Sequence, residues 1–257
     1  MSETTAEIAE GTPDFRIGEV FRLTFSGLFG HFPKFLLLGL IATLPTMVLT
    51  LVTGVTVSAL GYVEPNVAGK SPLIKLAFYV IPLLCYPISQ AAIYYGTLQG
   101  IRERPFRLGA GLLRALRRYF ALLGTNLFYV VAFGVGLILL VIPGLMLAIS
   151  LSLSFPICVV EGLGPKDSVN HSAALTKGHR WKIFGIFLVI VVTGAIAGSL
   201  TKIIFMALGG TIASTLMGSV CDAVVYAFNC IATAVIYHDL RALKEGVEID
   251  RIAAVFD

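Results

Sequence analysis

The chain has 257 residues, 57% of them hydrophobic and 13% charged, with a mean hydropathy of +0.89 and a formal net charge of +4 at pH 7. A soluble globular domain carries roughly 25% charged residues, so this composition excludes one and directs attention to membrane spans. No separate soluble domain fits in what is left.

Residues 1–14 are polar and acidic (Glu3, Glu7, Glu10, Asp14). They lack a basic segment followed by a short apolar core, so they read as a polar arm and not as a cleavable signal. Residues 15–241 read as an all-α membrane domain, and 242–257 as a cytoplasmic tail. Phe35 to Val63 and Leu76 to Ile101 are free of charge and each long enough to span. The run from Tyr119 to Val160 is also charge-free. At ~1.5 Å per residue it is about twice the thickness of a bilayer core, so it must fold back. Pro143-Gly144, near its middle, is the expected turn. Ile183 to Tyr237 is interrupted by Lys202, Asp222 and Gly209-Gly210, which predicts two more spans joined near those glycines. Six spans result.

Short helical segments precede the hairpins. Leu108, Leu112, Leu116 and Tyr119 recur at helical spacing, with Arg107, Arg114 and Arg118 opposite, which predicts an amphipathic helix at the headgroup level. Phe15-Arg16-Ile17-Gly18 is echoed by Phe106-Arg107-Leu108-Gly109, and Gly30-His31-Phe32-Pro33-Lys34 by Gly178-His179-Arg180-Trp181-Lys182. These echoes suggest three repeats of interfacial helix plus hairpin. Gly164-Pro165 opens a third short helix and Gly178 closes it; Trp181 and Lys182 then sit where amphipathic side chains favour the interface. Sixteen Lys and Arg fall on the side of the termini and three (Lys70, Lys75, Lys202) on the other, so the positive-inside rule puts both termini in the cytoplasm.

Ile142-Pro143-Gly144-Leu145, Pro156-Ile157-Cys158-Val159-Val160-Glu161-Gly162, Ser172, Leu175-Thr176-Lys177-Gly178-His179-Arg180-Trp181-Lys182-Ile183-Phe184 and Tyr237-His238-Asp239-Leu240-Arg241 with Lys244-Glu245-Gly246 follow one another in order. In these elements the chain resembles the glycerophosphoryl diester phosphodiesterase membrane-domain family, which includes YciC-like bacterial inner-membrane proteins. The resemblance implies a polytopic protein of the bacterial inner membrane with a non-catalytic or undefined role. Some members carry a phosphodiesterase domain after the membrane part; sixteen residues follow Arg241 here, so the expectation is a membrane part without it.

Hydrolytic chemistry needs an acid, a base or metal ligands converging on one site. His31, His171, His179 and His238 are scattered among segments, and no HExxH or GxSxG motif occurs. Cys85, Cys158, Cys221 and Cys230 lack CxxC spacing and read as packing residues. The expectation is therefore no catalytic residue, no metal and no cofactor.

Two kinds of candidate site remain. Arg107, Arg114, Arg117, Arg118, Lys177, Arg180, Trp181 and Lys182 are candidates for contact with anionic lipid headgroups, at ~1 kcal/mol per basic residue near a charged leaflet. The placement of the arginines between spans favours lipid over nucleic acid. In the last span Thr215, Ser219, Asp222, Tyr226, Asn229 and Thr233 share one face, as do Thr43, Thr46, Thr50 and Thr53 in the first. These seams read as packing or as a substrate path. For Asp222 the expected donors are Tyr226 and Thr215, with Lys202 as the nearby cation. The functional expectation is a membrane-organising or envelope-maintenance protein contacting anionic lipid. The alternative is a transporter or permease component using the seams. Protein partners are unknown and self-association is left open.

Overall fold

The computed structural model describes residues 15–53, 71–102, 108–139 and 141–256, with backbone alone for 137–139, 141–143 and 245–256. Among them there are helices and no strand. In chain order these are α1 (Ile17–Gly30), α2 (Phe32–Thr53), α3 (Pro72–Ile101), α4 (Leu108–Arg117), α5 (Tyr119–Leu139), α6 (Val141–Leu151), α7 (Ser154–Val160), α8 (Pro165–Thr176) and α9 (Arg180–Phe256). The polar arm 1–14 lies outside the described residues. The segment expected as a tail is the continuation of α9 as far as Phe256.

Among the described residues four helices are long and apolar enough to cross a membrane: Phe32–Thr53, Pro72–Ile101, Tyr119–Gly136 within α5, and Arg180–Lys244 within α9. Gly144–Val160 is a shorter apolar stretch. The surface they present is apolar, with Val52, Leu73, Phe120 and Leu208 each more than 75% exposed. Water would penalise so broad an apolar surface, and hydrocarbon would not.

Inside α9, Gly210 has φ 70° and ψ −162°, a conformation that only glycine adopts without strain. The chain reverses there. Gly194 of the limb 180–209 lies against Val225 of the limb 211–256, and Gly218 lies against the stem of Lys202. The expected turn near Gly209-Gly210 is therefore at Gly210.

The turn expected at Pro143-Gly144 lies earlier. α5 ends at Leu139 and α6 begins at Val141, so Pro143 is the third residue of a helix, where a missing N–H forfeits no intrahelical bond. Gly144 serves packing: a Cβ on Gly136 would come within 2.6 Å of the Gly144 Cα, so the two glycines let α5 and α6 approach backbone to backbone. α2 and α9 use the same device, because a Cβ on Gly39 would fall on the Ala223 carbonyl.

The second half of α3 forms the centre of the bundle. Ala91, Ala92, Ile93 and Tyr94 are fully or almost fully buried, together with Ile157 and Cys158 of α7 and Ile231 to Tyr237 of α9. Short α1, α4 and α8 lie at the starts of the long helices. At two of these junctions a histidine carbonyl opens the long helix: His31 accepts from Phe35 N (3.2 Å), and His179 accepts from Ile183 N (3.0 Å).

Candidate functional site

The predicted basic helix is present as α4, but its apolar pattern is divided differently from the expectation. Gly111 and Ala115 are its buried residues, pressed on α3 where a Cβ on Gly111 would meet Ala92 and Tyr95 at 3.4 Å. Leu113 and Leu116, by contrast, are about half exposed. Small residues permit the close helix contact, which leaves the larger leucines at the rim beside the arginines. The helix stops at Arg117, so Tyr119 belongs to α5 and not to the α4 stripe.

Between α4, the end of α3 and the start of α5 lies a groove of about 730 Å³ lined by Tyr95, Ala110, Leu113, Arg114, Arg117, Arg118, Phe120 and Ala121. Its described lining includes three arginines and no residue with a carboxylate. Two of the three are braced. The Arg114 guanidinium stands over the Tyr95 ring at 5.5 Å from the centroid. That of Arg118 lies against Gly162, whose φ of 76° and missing Cβ leave the space it fills. Phe120 is 83% exposed at the rim, which pairs an apolar surface with a cationic floor. Arg107 lies outside the described residues.

The remaining basic candidates sit apart, at the junction of α8 and α9. Lys182 Nζ donates to the Phe15 carbonyl at 3.2 Å, and Arg180 Nη2 donates to that of Ala173 at 3.5 Å, so both bind the chain to itself. Lys177 is exposed, and Trp181, 69% exposed, sets its ring edge-on to Phe184.

A third group joins residues that the sequence reading had not brought together. Glu161, at the end of α7, accepts from Tyr237 OH at 2.7 Å and has His171 Nδ1 of α8 at 2.9 Å. Arg241 Nη1 donates to the same tyrosine oxygen at 2.8 Å and stands 3.6 Å from the carboxylate. Two signals in the sequence pointed here: Glu161 is the acid that ends the 119–160 run, and Tyr237 and Arg241 are four apart on one helical face.

The intramembrane seam is turned inward but answers mainly to its own backbone. Thr215, Ser219 and Thr233 each donate to the carbonyl four residues before at 2.8 Å, that of Thr233 being the Asn229 carbonyl. Thr43 and Thr53 do likewise in α2, and Thr46 donates to the carbonyl three residues before. The donors expected for Asp222 go elsewhere. Thr215 serves Thr211, and Tyr226 donates to the Tyr86 carbonyl at 3.2 Å while packing on the Tyr86 ring. Half-buried Asp222 lies on the limb whose Gly218 packs against the Lys202 stem of the facing limb.

The carbonyl that Tyr226 reaches is that of the residue before Pro87 in α3. Pro87 has no N–H for Leu83, four residues before it, and its ring crowds that carbonyl. Asn126 Nδ2 of α5 donates to the Leu83 carbonyl at 3.3 Å, and Tyr119 OH donates to that of Leu84 at 3.1 Å. Side chains from α5 and α9 thus meet α3 carbonyls just before Pro87, and that of Leu83 is the one the proline leaves open.

A family model described as a domain of unknown function, DUF7847, matches residues 106–240, more than half of the chain. The chain belongs to the DUF7847 family. No curated protein and no solved structure matches it. The DUF7847 segment starts just before α4 and ends at Leu240, so it holds every lining residue of the groove except Tyr95, and all of the Glu161 cluster except Arg241.

Proposed function

We propose that this DUF7847 protein is a six-span protein of the bacterial inner membrane that binds anionic lipid headgroups in the groove of Arg114, Arg117 and Arg118, in a membrane-organising or envelope-maintenance role. The observation that carries this reading is a groove with three arginines, no described carboxylate in its lining and a largely exposed phenylalanine at its rim. Such a site offers charge to phosphate and apolar surface to acyl chains.

The membrane level of the groove is supported by what recurs where the long helices begin. Phe29 and Lys34 flank the start of α2, Arg118 and Phe120 that of α5, and Trp181 and Lys182 that of α9. Aromatic and basic residues gather at membrane interfaces, and the excess of Lys and Arg on this side puts it in the cytoplasm with both termini. His31 and His179 hold equivalent positions in one of the echoed pairs, and the carbonyl of each accepts from a backbone N–H at the start of a long helix. This correspondence supports three repeats of short helix plus hairpin. The likeness to the glycerophosphoryl diester phosphodiesterase membrane-domain family remains a proposal on the motif residues, and it adds location without a substrate. Hydroxyls of the seams spend their donors on their own helices, which favours packing over a substrate path.

The test is lipid retention. Full-length protein extracted from native membrane and compared with Arg114→Gln/Arg117→Gln/Arg118→Gln by mass spectrometry at low salt should lose most of its bound anionic lipid in the triple variant. Equal retention would remove the headgroup role.

A further inference from the structure

Three arginines around one groove, two of them with braced guanidinium groups, ask for more than one negative charge. A phosphodiester such as that of a simple anionic lipid carries a single charge, spread over two free oxygens, and one arginine fork satisfies those two oxygens bidentately. In this groove that would leave two guanidinium groups to mobile counterions. Two of the forks are also braced by different neighbours: Arg114 by the face of Tyr95, and Arg118 by the backbone at Gly162. They do not need to be gathered around a ligand, so the side-chain entropy that binding would otherwise cost is already spent. The volume of about 730 Å³ lies within the ~300–1,000 Å³ of small-molecule sites, room for a whole headgroup. Phe120 and Leu113, exposed at the rim, provide the apolar surface that a soluble phosphate does not use.

We infer that the groove selects a lipid whose headgroup carries two phosphate charges, either as a terminal phosphomonoester or as two phosphodiesters joined by a short linker, over a lipid with a single phosphodiester. This rests on the anionic-headgroup reading above and narrows it to a chemical class. The selectivity comes from forks held apart at fixed positions, so it depends on arginine geometry as well as on charge.

The experiment uses the full chain in detergent with synthetic lipids of matched acyl chains: phosphatidylcholine, phosphatidylglycerol, phosphatidic acid and diphosphatidylglycerol, with binding followed by native mass spectrometry. The two-charge lipids should bind at least tenfold more tightly than phosphatidylglycerol, and Arg114→Lys, which keeps the charge but loses the fork, should cut that ratio to twofold or less. Pyrophosphate at equal concentration should not displace them. Equal affinity for phosphatidylglycerol and the two-charge lipids, with both above phosphatidylcholine, overturns the inference while leaving the anionic-headgroup reading in place. No preference for any anionic lipid over phosphatidylcholine overturns that reading itself. Unchanged selectivity in a folded Arg114→Lys variant overturns the fork geometry, and displacement by pyrophosphate overturns the lipid as ligand.

Discussion

Replacing Tyr237 with Phe isolates the bond network at the end of α7. The ring is almost wholly buried and its packing survives the change, so the loss is confined to one hydroxyl. That hydroxyl donates to Glu161 at 2.7 Å and accepts from Arg241 at 2.8 Å. Hydrogen bonds to charged groups are worth ~1.5–3 kcal/mol each, which would give about 3–6 kcal/mol for the pair. Two observations reduce this. Arg241 already stands 3.6 Å from Glu161 and closes on it when the hydroxyl is gone, and its side chain is 37% exposed, so water screens the interaction. The expected net loss is about 2 kcal/mol. Equilibrium unfolding in mixed micelles, with Tyr237→Phe and Arg241→Met combined in a double-mutant cycle, should give a coupling energy of about 1 kcal/mol between the two positions. A Tyr237→Phe variant within ~0.5 kcal/mol of the parent, with no coupling, would refute the network.

Gly39→Ala places a methyl group on the Ala223 carbonyl and should destabilise the fold by about 2–3 kcal/mol, whereas Gly134→Ala, with nothing within 4 Å, should be neutral or slightly stabilising; equal effects in unfolding titrations would discount the α2–α9 contact. Asp222→Asn keeps a polar group on the seam and should change stability by no more than about 1 kcal/mol with normal expression, and failure to accumulate in the membrane would show that the carboxylate charge is indispensable. Asn126→Leu removes the donor to Leu83 and should cost ~0.6 kcal/mol, rising to ~1.7 at most. An isotope-labelled Leu83 carbonyl should then move to higher infrared frequency, and an unmoved band would show that the bond is not made.

Periodicity and charge made most of the helices legible, because hydrocarbon demands long uncharged runs and leaves little choice of how to fill them. Gly209-Gly210 marked its turn correctly, since no other residue tolerates the conformation of Gly210. Pro143 misled because proline is as much at home in the first turn of a helix as in the link before it. The grouping of Arg114, Arg117 and Arg118 was visible as a basic stretch, but not the Tyr95 and Gly162 that brace it, which come from helices and loops distant in the chain. Glu161, Tyr237 and Arg241 were within quoted motifs and His171 stood among the scattered histidines, yet their meeting depends on how the helices pack, which no local pattern encodes.

Pro87 also bears on how the protein is assembled. α3 forms with a carbonyl at Leu83 that residue 87 cannot satisfy. The group that answers it, the Asn126 amide, lies in α5 and is synthesised 43 residues later. The backbone of α3 is therefore completed only when α5 docks beside it. Association of α3 with α5 is thus coupled to relief of a polar defect, so a chain truncated after Ile101 would leave the Leu83 carbonyl without its side-chain donor.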